Sequence, residues 1–173
     1  MTEKRPEAMK AWKEIEEWCV AASVQRTLKW SRFGFLGGYY SGMLDMYSDF
    51  TMLQAQTGMD VEILEMSDLD YYLKSVTEKE VQQKLQQIQD FFEISGDSPS
   101  DPIARKPSQD QLNWSARVAS AQEKMVRDRN LDSVSYYYHG RDDYFETVQS
   151  GFIVGFSLLN AVSYTHLTLP TKA

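Results

Sequence analysis

The chain has 173 residues and a mass of 20.0 kDa, with 42% hydrophobic and 25% charged residues, which suits one globular domain or a piece of a larger protein. Its 18 basic and 25 acidic residues leave a net charge of −7 and a pI near 4.9, a balance that repels a polyphosphate backbone and argues against a nucleic-acid partner. Cys19 is the single cysteine, which excludes an intrachain disulfide framework and any CxxC metal or redox site. No apolar run approaches the roughly 20 residues that span a bilayer, and residues 1–5 lack the apolar core of a signal peptide, so a cytoplasmic, non-membrane protein is expected.

In chain order, Ala8, Ala11, Ile15, Cys19 and Ala22 recur at three- and four-residue steps among Lys and Glu. That spacing predicts an amphipathic helix beginning near Pro6. KWSRFGFL (29–36) is short and aromatic-rich, ends at Gly37 and Gly38, and predicts a strand. Helical spacing returns over 43–57 through Met46, Phe50 and Leu53, with Gly58 as C-cap. VEILEM (61–66) alternates Val61 and Ile63 against Glu62 and Leu64 and predicts a second strand.

Thr77-x-x-Glu80 is a capping-box pattern, followed by Val81, Leu85, Ile88 and Phe92 along one helical face. Residues 96–107 hold Pro99, Pro102 and Pro107 and read as a surface loop. Ser108-x-x-Gln111 opens a further helix through Leu112, Ala116, Ala119 and Val126 to about Asn130. SVSYYY (133–138) predicts a third strand. Phe145, Val148, Phe152, Phe156 and Leu159 then form a last helix, in which Gly151 and Gly155 permit close backbone approach.

The predicted order is α-β-α-β-α-α-β-α. Strands separated by whole helices cannot form hairpins, and right-handed crossovers make them parallel. The fold expected is a doubly wound, Rossmann-like, three-layer α/β sheet, completed by strands from elsewhere.

In such a sheet, ligands collect beyond the carboxyl ends of the strands. Those ends lead into Gly37-Gly38-Tyr39-Tyr40, Ser67-Asp68 and the 139–143 segment. Gly34-x-x-Gly37-Gly38 lacks GxGxxG spacing and reads as a tight turn. His139 could donate to a sugar hydroxyl, act as a base or sit in a loop without a special role. With no second histidine or cysteine nearby, a metal role for it is disfavoured. Asp45 and Asp49 lie four apart, a spacing that could pair an acid with a base but better suits the dipole of a helix start. Asp142 and Asp143 read as caps of the last helix, and at least one of Tyr136, Tyr137 and Tyr138 belongs to the core.

The segment RFGFLGGYYSGMLDMYSDFTMLQAQTGMDVEILEMSDL (32–69) resembles the start of the central domain of L-arabinose isomerases and their relatives. The resemblance lies in Arg32-Phe33-Gly34 closing a strand and in Asp49 followed by Gln54 and Gly58. The helix over 8–22, with Trp18, is similar to the one leading into that domain. LNWSARVASAQEKMV (112–126), SYYYHG (135–140) and GFIVGFSLLNA (151–161) are similar to its later elements, so that about 150 of the 173 residues are covered.

The resemblance implies an aldose–ketose isomerase, with L-arabinose and L-ribulose the name-giving pair. It implies a divalent cation, typically Mn2+, held by two Glu and two His, that polarises the sugar oxygens while carboxylates move a proton between C1 and C2 through an ene-diol. It implies homo-oligomers, trimers or hexamers. None of the metal ligands carries over: the family's first metal-binding Glu lies in a Gly-Glu-Gly-Asp segment just beyond the position of Asn160. No catalytic or metal residue is therefore expected here. The expected substrate contacts are Tyr40 or Met43 after the first strand, and the turn at Tyr138 and His139.

VSYTHLTLPT (162–171) matches, residue for residue, the conceptual translation of a transposon-type sequencing adaptor. The expected organisation is thus a helix over 1–28 leading in from a preceding domain, a truncated central domain over 29–161, and an adaptor-derived tail over 162–173. The fragment alone is expected to be inactive and to bind no manganese tightly. A reading from a different class is a non-catalytic sugar-binding or regulatory module with the same layout.

Overall fold

In the computed structural model, residues 6–40, 42, 47–97, 99–100, 105–137 and 142–167 are described, and the side chains of residues 6, 7 and 162–167 are not. Two capping boxes set helices where the sequence places them. Thr77 Oγ1 accepts the Glu80 N–H while Glu80 accepts the Thr77 N–H at 2.7 Å, opening α4 (Glu78–Phe91). Ser108 and Gln111 make the same reciprocal pair at the start of α5 (Gln109–Asp128). Each box satisfies N–H groups that a helix start otherwise leaves open.

Three strands form a small open parallel sheet in the order β2-β1-β3. β1 (Arg32–Leu36) is central, pairing β2 (Asp60–Leu64) with Gly34 opposite Glu62, and β3 (Ser133–Tyr136) with Gly34 opposite Val134. The remaining elements are helices: α1 (Pro6–Trp30), α2 (Phe50–Thr57), α3 (Met66–Lys74), α6 (Asp143–Ser150) and α7 (Phe152–Leu167).

Alternation along the strands sends Gly34, Leu36 and Leu64 toward the principal core. There Leu36 and Leu64 join Leu69, Leu73, Val81, Leu85, Ala116, Val118, Met125, Val148 and Phe152. A Cβ on Gly34 would stand 2.8 Å from Leu131 and 3.1 Å from Leu64, so only glycine lets these leucines close over the sheet. Phe33 and Phe35 point to the other face, where Phe35 meets Phe50 of α2 at 5.0 Å.

Glu62, nearly buried, is bracketed by two arginines. Arg32 of β1 and Arg129, just past α5, each reach it at 2.7 Å. Arg129 also approaches Asp68 at 3.5 Å and receives Tyr72 Oη at 3.3 Å from its Nε. The node ties strand to helix on the core side.

Several expectations are corrected. Helix α3 lies where a strand end and loop were expected; β2 stops at Leu64, the Glu65 N–H is taken by the Asp68 carboxylate at 2.8 Å, and Met66, Leu69, Tyr72 and Leu73 form a buried stripe. The expected strand over 29–36 starts only at Arg32, because α1 holds its helix through Trp30. The expected helix over 43–57 starts at Phe50, with Asp49 as its N-cap, while 43–46 lie outside the described residues.

Within β2 it is Leu64 that is buried, while Ile63 is 64% exposed. The last helix divides at Gly151 into α6 and α7. The α7 backbone stays helical to Leu167, past the break in pattern read at residue 161. Gly58 caps α2 at φ 78° as expected, and Asn130, at φ 51°, ends the turn after α5.

Helix α1 departs most from a one-faced amphipathic reading. Its apolar side chains lie right round the helix and stand in solvent: Met9, Trp12, Ile15, Trp18, Val20, Val24 and Trp30 are all exposed. Its last turn meets the body where Lys29 packs over Gly58.

Candidate functional site

At the carboxyl end of β1 the chain turns through Gly37 (φ 85°) and Gly38 (φ 111°), backbone angles that disfavour a side chain. The Gly37 N–H donates to the Leu64 carbonyl at 2.9 Å. This is the tight turn expected of the glycine pair, and it delivers two tyrosines to the rim of the sheet. The Tyr39 ring lies 4.7 Å from Phe35 and 4.8 Å from Tyr47, stacks on Phe50, and donates its hydroxyl to the Ser48 carbonyl at 2.8 Å. With its hydroxyl satisfied and its ring enclosed, Tyr39 is a wall.

Tyr40 behaves differently. It is partly exposed and meets Tyr137 edge to face, with ring centroids 5.2 Å apart and planes at 84°. Tyr137 directly follows β3, where its N–H extends the ladder by donating to the Leu36 carbonyl at 3.0 Å. Burial, together with the neighbouring Tyr40, pushes the Tyr137 phenol up from its ordinary value. The pair thus bridges the carboxyl ends of β1 and β3.

Below it, a hollow of about 540 Å³ runs along the Phe33 and Phe35 face, walled by Phe50 and Leu53 of α2 and bordered by Ser133 and Ser135. No charged side chain is among its described lining residues. An apolar hollow with aromatic faces and a few hydroxyls suits a neutral, partly apolar ligand. Sugars present such a face through their C–H groups, and aromatic rings are the usual counterpart.

Asp49 stands near this rim, but its carboxylate is committed. It accepts the Thr51 hydroxyl at 2.6 Å and the Met52 N–H at 3.0 Å, and these bonds hold it below the usual carboxylate range. It is an N-cap outside the helix, so it does not share a helical face with Asp45, which lies outside the described residues. Asp142 caps α6 as expected, accepting the Tyr144 N–H at 2.8 Å and the Phe145 N–H at 3.3 Å.

Of the four expected substrate contacts, Tyr40 is at the carboxyl rim, while Met43, Tyr138 and His139 lie outside the described residues. The residue that meets Tyr40 is Tyr137, which sequence reasoning left among three undifferentiated tyrosines. The alternation of the strand carried the signal: Tyr136 packs on Phe152 at 4.8 Å on the core side, so Tyr137 must point to the other face.

Among the described residues, no group of three or more His, Cys, Asp or Glu side chains is placed to hold a metal ion. Also among these residues, no helix is long and apolar enough to cross a membrane. No family model matches the chain, and no curated protein matches it.

Proposed function

We propose that this chain is the central α/β portion of a metal-dependent aldose–ketose isomerase, whose parent converts L-arabinose or a related aldose to its 2-ketose. The observation that carries the reading is the Tyr40–Tyr137 pair, set over an uncharged aromatic hollow at the carboxyl ends of β1 and β3. It adds to the ordered resemblance between residues 32 and 161 and the central domain of that family.

The strand order supports a doubly wound sheet. With β1 in the middle, the connection to β2 leaves to one side and the path to β3 to the other, so β1 and β3 flank the switch point where such folds bind ligands. The two connections also use opposite faces: α2 lies over Phe35, while α3 and α5 join the core around Leu36 and Leu64. Helix α1, with Trp12 and Trp18 in solvent, suits a segment that packs against a preceding domain.

In this reading Tyr40 and Tyr137 hold the C–H face of the sugar, and hydroxyls along the hollow orient it. The described residues do not form a seat for manganese, and no step of the isomerisation is assigned to them. Metal and proton transfer belong to the parent's further residues, in a cytoplasmic homo-oligomer.

Assay of the isolated 173-residue chain with L-arabinose and Mn2+ tests the reading, together with NMR titration of its tyrosine rings by L-arabinose, L-fucose and D-galactose. No L-ribulose is expected to form, and the Tyr40 and Tyr137 resonances are expected to shift with at least one aldose. Turnover by the isolated chain, or tyrosine resonances indifferent to all three sugars, would overturn it. The alternative of a non-catalytic sugar module shares the binding result and differs in the parent, which would then lack the Gly-Glu-Gly-Asp segment beyond Asn160.

A further inference from the structure

The two edges of the sheet are built differently. β2 carries Asp60 and Glu62 in five residues, with Arg32 reaching across to both. Charges of that kind keep a foreign strand from adding to an edge. β3 reads Ser-Val-Ser-Tyr, without charge or proline. Asp132, just before it, is turned inward, its carboxylate accepting the Arg32 N–H at 2.8 Å.

Because the Tyr137 N–H donates to β1, alternation directs the N–H groups of Val134 and Tyr136 outward, to the open edge. Beside that edge lies a groove of about 560 Å³ between β3 and α7, lined by Val134, Tyr136, Ile153, Phe156 and Leu159. Ile153 is 70% exposed on its rim.

We propose that the β3 edge is an interface between two copies of this chain. The edge presents outward donors and acceptors, so the group that satisfies it is another strand. An antiparallel β3–β3 pair about a two-fold axis perpendicular to the sheet satisfies both copies with the same residues. That operation keeps the two α7 helices on one face of a joined six-stranded sheet, on either side of the axis. The two grooves then merge into one trough, and Ile153 and Phe156 of each copy cover the other's. A chain of net charge −7 repels its copy over most of its surface, whereas this patch is neutral. The inference does not depend on the sugar reading.

Analytical ultracentrifugation of the 173-residue chain across a concentration series tests it, alongside Ile153→Lys and Val134→Pro. Ile153→Lys places a charge in the trough at an exposed position, and Val134→Pro removes one outward donor from an edge strand, where proline is tolerated. A wild-type dimer is expected, with each variant weakening dimerisation by about tenfold or more while the helical circular dichroism stays unchanged. Amide exchange at Val134 and Tyr136 should be slowed in the wild-type dimer and released in Ile153→Lys, which serves alone should the proline variant fail to fold. A chain monomeric at every concentration, or an oligomer indifferent to Ile153→Lys, overturns the proposal.

Discussion

Gly155 of α7 lies against Ala119 of α5 so closely that a Cβ there would stand 2.8 Å from the Ala119 Cα. The obstacle is backbone, so no rotamer change relieves it. The Gln122 side chain, fully buried, fills the remaining space, its amide reaching toward the Phe152 carbonyl at 3.4 Å. Gly155→Ala must therefore part the two helices that carry much of the core. A loss of about 2–3 kcal/mol is expected, in the range of overpacked cores. Gly96→Ala, at a position with open space around it, should be nearly silent. Urea denaturation of the two variants checks the contrast.

Glu80 gives an acid-side prediction. Its carboxyl is held down to about 2, first by the Thr77 backbone N–H, then by Lys124 and the Thr77 hydroxyl. A carboxylate with a lowered pKa stabilises the fold fully above its unfolded value, near 4.5, and loses that contribution as pH falls toward 2. Wild type should thus lose more stability than Glu80→Gln between those limits, so that the two melting curves converge in acid. A difference that is constant with pH would assign Glu80 no such role.

The node at Glu62 predicts an asymmetry. Removing Arg129 leaves Glu62 still paired with Arg32, whereas Glu62→Ala leaves two guanidinium groups with their shared counter-charge gone. Uncompensated charge in a partly buried site costs more than one lost bond. Glu62→Ala is expected to cost about 2–3 kcal/mol and Arg129→Ala about 1 kcal/mol, read from denaturant midpoints at constant slope.

Features set by neighbours in the chain were legible in the sequence. The Thr77 and Ser108 boxes, the Gly58 cap and the tight turn at Gly37-Gly38 depend on a few adjacent residues, and each is found where expected. The same holds for the close approach at Gly151 and Gly155, which glycines in an otherwise apolar helix announce. What tertiary packing decides was not legible. Met66 was placed in a strand because VEILEM alternates, although Met66, Leu69, Tyr72 and Leu73 carry helical spacing. Phe152, expected with Phe156 and Leu159 on an exposed face, is fully buried because α7 packs on α5 there, while Phe156 and Leu159 line the open groove. Nothing local distinguishes Tyr137 from Tyr136 until the partners of β3 are known.

The rim predicts how the two tyrosines divide the work. Tyr39 is enclosed by Phe35, Tyr47 and Phe50 and hydrogen-bonded to Ser48, so Tyr39→Ala should unsettle the α2 wall and lower the melting temperature. Tyr40 is partly exposed and touches Tyr137 edge to face, so Tyr40→Ala removes a ring that the fold can do without. If the pair holds a sugar face, Tyr40→Ala and Tyr137→Ala should each weaken aldose binding by about fivefold to tenfold, the worth of one aromatic contact. Tyr40→Phe should keep most of the affinity, because the face and not the hydroxyl makes the contact. The measurement is the sugar-induced shift of the remaining ring resonances in each variant. Equal loss in Tyr40→Phe and Tyr40→Ala would transfer the contact to the hydroxyl, and no loss in either would remove Tyr40 from the site.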